Sequence, residues 1–211
     1  MIRAALVTVL ALTAIACTDI RAVTPGEGLP FYDSADFTPR WTRTSTHRIA
    51  DFSLLAQSGE TVTRNDLMGK VHVASFIYTR CAGICPAMVT QLKKVQAAIA
   101  GRNAVLVSYS VTPQEDTPES LSAFGALRGI DPHRWKLVTG DAGKIYELAR
   151  TSYFADDGRL EVGKAASEQF LHTEKALLVD GDGRLRGVYN ATLPHDLEKL
   201  IADLDQLLDR D

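Results

Sequence analysis

Val71-His72-Val73-Ala74-Ser75-Phe76-Ile77-Tyr78, followed at once by Thr79-Arg80-Cys81-Ala82-Gly83-Ile84-Cys85-Pro86, is the stretch on which the reading of this chain turns. The first eight residues are mostly β-branched and aromatic and show no apolar/polar alternation, which is the pattern of a strand covered on both faces. Beyond them, Pro86–Ala100 carries Met88, Leu92, Val95 and Ile99 at intervals of four, three and four, the spacing of one helical face. A second apolar run, Ala104–Val111, then reads as another central strand. Strand, helix, strand in this order implies an α/β sheet with helices on both sides.

Working outward, Ile49–Leu55 reads as extended, with a turn at Ser58-Gly59. A helix is expected near Pro118–Leu127, with Pro118 suited to its first turn, then a strand at Trp135–Val138 and a helix at Ala142–Arg150. Strands at Lys175–Val179 and Leu185–Tyr189 flank a Gly181-Asp182-Gly183 turn, and Leu197–Leu208 reads as a last amphipathic helix. An α/β domain that ends in a hairpin and a helix has the thioredoxin-like order, here a mixed sheet with inserted elements. Before it, residues 17–46 mix Pro25, Gly26, Gly28, Pro30 and Pro39 with isolated aromatics and show no period, as expected of a tether or loosely packed arm. The domain is therefore expected over residues 47–211.

The chain has 211 residues, 45 % hydrophobic and 23 % charged, enough for one sizeable core. A net charge of −3 gives no broad basic field, so nucleic acid is not an expected partner. Residues 1–16 read as an export signal: Arg3, then an uncharged stretch from Ala4 to Ala16, too short for a permanent span of about 20 residues. Ala14-Ile15-Ala16-Cys17 resembles the lipobox of bacterial lipoproteins, with Ala14 where leucine is usual. It implies lipidation of Cys17 and a membrane-anchored protein on the extracytoplasmic side of the envelope; plain cleavage near Ala16 is the other outcome.

Without Cys17, two of the three cysteines remain. Cys81 and Cys85 are too close together for their disulfide to close a large loop, so a chemical role is expected ahead of the alternative, a structural disulfide or two buried thiols. They follow a strand and precede a helix, where helix N–H groups favour a thiolate. Pro86 disfavours helical geometry at Cys85, which places the pair on the leading loop. His172, directly before the hairpin, adds an imidazole. Two thiolates and one imidazole suit Cu(I), whereas structural zinc takes four protein ligands. The same cysteines would also serve as a redox-active pair.

Phe76-Ile77-Tyr78-Thr79-Arg80-Cys81-Ala82-Gly83-Ile84-Cys85-Pro86 closely resembles the signature of the Sco/SenC family. Val107-Ser108 with Thr112-Pro113-Gln114-Glu115-Asp116-Thr117-Pro118 resembles that family's second block, and Phe170-Leu171-His172-Thr173 with Val179-Asp180-Gly181-Asp182-Gly183 its histidine block. The resemblance runs from about Ile49 to Leu207. It implies a thioredoxin-like fold, copper ligands Cys81, Cys85 and His172, and copper as Cu(I) or Cu(II). It also implies delivery of copper to the copper-bearing subunit of cytochrome c oxidase, or to another copper chaperone. The alternative is a thiol–disulfide oxidoreductase that reduces the partner's copper-site cysteines and is recharged by a thiol–disulfide reductant. The first role is not an enzyme's in the sense of turnover. Two positions depart from the family: Thr112 stands where it usually has aspartate, and Ala82 replaces a common proline.

Met88, three residues after Cys85, could offer a thioether but belongs to the helix stripe and is expected in the core. His72 is expected to pack within its strand, His47 to belong to the arm, and His133 and His195 to lie on the surface. Asp156-Asp157-Gly158 reads as a turn, without the ligands of a calcium loop.

Overall fold

The computed structural model describes residues 28–42, 44–81, 83–155, 171 and 173–209. Seven strands among them form one sheet: β1 (Ser53–Ala56), β2 (Thr61–Thr63), β3 (Val71–Ile77), β4 (Ala104–Ser110), β5 (Trp135–Thr139), β6 (Lys175–Val179) and β7 (Leu185–Asn190). Their order across the sheet is β2-β1-β5-β4-β3-β6-β7. β3, β4 and β5 are parallel, and the pairs β1–β2, β1–β5, β3–β6 and β6–β7 are antiparallel. The helices are α1 (Cys85–Ala98), α2 (Pro118–Arg128), α3 (Ala142–Glu147) and α4 (Pro194–Leu208). A wider helical turn, Leu148–Ser152, continues α3.

Alternation along the central strands divides the core in two. Val71, Val73 and Ile77 of β3 join Leu106, Trp135 and Leu137 beneath α1, α2 and α4. Ala74 and Phe76 join Val107, Tyr109 and Val138 beneath α3 and its continuation. All seven residues of β3 are buried, as its unbroken apolar run requires. Its one hydroxyl is satisfied across the sheet: Ser75 hydrogen-bonds Ser108 at 2.7 Å, and the Trp135 indole N–H donates to the same Ser108 oxygen at 2.8 Å.

The helices begin and end where local chemistry dictates. Thr117 caps α2 by accepting from the Ser120 N–H at 3.3 Å, and Gly129 closes it in the left-handed conformation at φ 66°. Asp141 caps α3 through the Lys144 N–H at 2.9 Å. One expectation fails: Cys85 is the first residue of α1, not part of the leading loop. The bias of a residue before proline away from helix is overridden here. Ile84 is already helical in φ and ψ, and the Met88 N–H bonds back to its carbonyl at 3.0 Å.

The segment around Leu29–Tyr32 is also packed more closely than its composition suggests. Leu29 and Phe31 are buried. The Arg186 guanidinium lies 4.0 Å from the Phe31 ring centre and donates to the carbonyls of Leu29 and Pro30 at 2.6 and 2.9 Å. Asp180 holds the same guanidinium at 2.9 Å, and the Tyr32 N–H bonds to the Leu185 carbonyl. The arm is thus strapped to the β6–β7 hairpin by contacts that span about 150 residues of sequence, which no local pattern reveals. Among the described residues, no helix is long and apolar enough to cross a membrane.

Candidate metal centre

β3 ends at Ile77, and four residues later the chain reaches Cys81 at the carboxyl edge of the parallel strands, where sites of open α/β sheets collect. Cys81 is partly exposed, Cys85 is 8 % exposed, and both are free thiols. The backbone settles this difference: Cys85 is carried by α1, whose Met88, Leu92 and Val95 are buried against the sheet, while Cys81 belongs to the loop. Met88 is fully buried in that core, as its place in the helix stripe predicts.

The two thiols have opposite acidities. Burial opposes ionisation of Cys81, but the Cys85 N–H and S–H and the N–H groups of Gly83 and Ile84 donate toward its sulfur and bring its pKa below the ordinary thiol value. Burial pushes the Cys85 thiol up to about 12, and the neighbouring Cys81 adds to this against a hydrogen bond from the Tyr78 backbone. Placement at a helix start therefore favours a thiolate only at Cys81, the sulfur that receives the helix N–H groups.

Both cysteines line a small pocket with Phe76, Val111, Leu171 and Thr173. His172 lies outside the described residues, as do Cys17, Ala82 and Asp156-Asp157-Gly158. Its neighbours Leu171 and Thr173 both face the pocket, and the Leu171 N–H bonds to the Tyr146 hydroxyl at 3.3 Å. Among the described residues, no three His, Cys, Asp or Glu side chains gather as a metal cage. What they supply is a pair of soft sulfur donors, which suits a soft metal ion better than a hard cation.

Sequence reasoning did not single out Asp116, which touches the cysteine loop through Thr79. It is fully buried and accepts from Thr79 Oγ1 at 2.5 Å, Ser110 Oγ at 2.6 Å and Thr112 Oγ1 at 3.2 Å. Thr112 thus serves as a hydroxyl donor to a carboxylate four residues further on. Its position just before the cap Thr117-Pro118 was the available signal, but nothing there marks it as buried.

The remaining histidines lie away from the cysteines. His72 is buried in β3, with Nε2 3.2 Å from the Tyr153 hydroxyl, which lies 2.9 Å from that of Tyr109. Burial pushes its pKa down to about 4, with Asp180 offsetting part of the shift. His47 stacks on Phe154 and bonds to the Ser152 carbonyl, while His133 and His195 are exposed.

A sheet with three parallel central strands, helices on both faces and two free thiols at the β3–α1 turn defines a thioredoxin-like protein with a paired-thiol site. The SCO1/SenC family profile matches residues 41–209. The chain belongs to that family. Among solved structures, it is similar to a SCO1/SenC family lipoprotein from Bacillus anthracis, with 28 % identity and a TM-score of 0.66 over 78 % of this chain and 98 % of that one. It is similar to BsSco, described as having a disulfide switch and as a member of the Sco family of cytochrome c oxidase assembly proteins, with 27 % identity and a TM-score of 0.67 over 78 % and 95 %. Bradyrhizobium japonicum ScoI with copper bound is 27 % identical, with a TM-score of 0.60 over 75 % and 98 %.

Proposed function

We propose that this chain is a copper metallochaperone of the cell envelope. It binds copper through Cys81, Cys85 and His172 and delivers it to the copper-bearing subunit of cytochrome c oxidase. The observation that carries this is the pocket: two reduced sulfurs share it with Leu171 and Thr173, the residues on either side of His172. Two thiolates and an imidazole leave copper open to ligand exchange with a partner site, as a carrier requires. The copper-bound ScoI relative supports copper as the cargo. A lipid on Cys17 would anchor the protein to the membrane, in keeping with the B. anthracis lipoprotein.

Titration of reduced protein with Cu(I) against a competing chelator tests the reading. One Cu(I) per chain is expected, with His172→Ala weakening retention at least about ten-fold, or 1.4 kcal/mol. Affinity unchanged in that variant would remove His172 from the site. Mass spectrometry of the mature N-terminus checks the anchor: an unmodified Cys17 or Thr18 would rule it out.

The unequal acidities favour a second reading, thiol–disulfide exchange. The Cys81 thiolate would attack a partner disulfide and expel one partner sulfur. Cys85 would then displace the other, leaving the partner reduced by two electrons and Cys81–Cys85 as the disulfide. Rapid reduction of a partner's disulfide by the metal-free protein would favour this role over delivery.

A further inference from the structure

Cys85 is fixed by a helix with a buried face, but Cys81 sits on a loop and needs another anchor. The loop between β4 and α2 supplies it. There Glu115 and Asp116, adjacent in sequence, hold three consecutive residues that lead to Cys81. Arg80 pairs with Glu115 at 3.2 Å, and the Tyr78 hydroxyl reaches the same carboxylate at 3.5 Å. Thr79 donates to Asp116 through its hydroxyl at 2.5 Å and its N–H at 3.4 Å.

These two holds are unequal. Arg80 and Glu115 are well exposed, so solvent screening leaves their ion pair a weak hold, and 3.5 Å is the outer limit of a hydrogen bond. Asp116 is fully buried, and its second oxygen is fixed to the end of β4 by Ser110 and Thr112. A buried carboxylate is costly unless every lone pair has a donor, and losing one donor there leaves an uncompensated group. The Thr79–Asp116 bond is therefore the strong link between the cysteine loop and the rigid sheet.

We propose that Asp116 is the positioning residue of the cysteine loop, acting through Thr79 to hold the Cys81 sulfur beside that of Cys85. This goes beyond the copper reading, because closing a disulfide and gripping one soft ion both need the two sulfurs already close. Pre-organisation lowers the entropy cost of each.

The test is Thr79→Val in the full chain, equilibrated with oxidised and reduced glutathione. Cys81 and Cys85 give up two electrons and two protons to form their disulfide, while one glutathione disulfide becomes two glutathiones. The equilibrium constant for closing the disulfide should fall about ten-fold, which raises the potential by about 30 mV. Cu(I) retention should fall by a similar factor. Thr79→Ser keeps the hydroxyl and should restore both. Asp116→Asn should resemble Thr79→Val, and the double variant should be no worse than either single one. A wild-type potential in Thr79→Val would overturn the proposal, even if its unfolding temperature fell; so would Thr79→Ser as impaired as Thr79→Val. If the wild type held no Cu(I), the copper reading would fail while the glutathione equilibrium still decided this one.

Discussion

Burial and hydrogen bonding act in opposite directions on Cys81, where hydrogen bonding wins, whereas burial dominates at Cys85, so the first proton to leave the pair comes from Cys81. At pH 8, iodoacetamide should alkylate Cys81 well before Cys85, and a time course of peptide masses would show it; equal rates would contradict the assigned acidities. His72 gives a second expectation. Its folded pKa of about 4 lies below the ordinary 6.5, so the unfolded chain takes up a proton first as pH falls. The stability it contributes is full above pH 6.5 and is lost as pH falls toward 4, about 3 kcal/mol in all. Urea unfolding at pH 7 and pH 4.5 should show a smaller pH dependence in His72→Leu than in the wild type, and an identical slope would refute this. Of these residues, the cysteines were legible because their spacing and place are chemical signals. Asp116 was not, because sequence does not distinguish a buried carboxylate from a solvated one.

Among the elements, β3 and β4 were legible to within about a residue because continuous apolar runs have few other uses in a chain of this composition, and β6 and β7 because they flank the Gly181-Asp182-Gly183 turn. The start of α1 was misread because a preference of the residue before proline is weaker than a helix with a buried face. The packing around Phe31 was not legible for a different reason: Phe31 looks isolated in sequence, and its partners Arg184 and Arg186 come from the hairpin at the other end of the chain. Phe31→Ala should therefore release the strap, with a loss of about 3–5 kcal/mol and new protease cleavage in the arm near that residue. A cleavage pattern matching the wild type would mean that the strap does not depend on that ring. Loss of the α2 cap in Thr117→Ala should cost about 1 kcal/mol by urea unfolding.

For the molecule as a whole, the order β2-β1-β5-β4-β3-β6-β7 brings Phe76, Cys81 and Cys85 to one pocket with Leu171 and Thr173, although some ninety residues separate the two segments. The sequence showed the alternation of elements but not this adjacency, which depends on β6 pairing with β3. Because copper would bind the folded chain and join distant segments, Cu(I) at a hundred times its dissociation constant should stabilise the fold by about 2.7 kcal/mol. That corresponds to a rise of about 5–10 °C in Tm. An unchanged Tm at saturating Cu(I) would argue that the ion does not engage the native pocket.

The unequal depth of the two sulfurs also orders any exchange with a partner. An incoming thiol from solvent meets the partly exposed Cys81, with Ile84 exposed beside it, before the buried Cys85. In a carrier, the outer bond would be the first to be traded and the inner one the last, giving the partner a foothold before release.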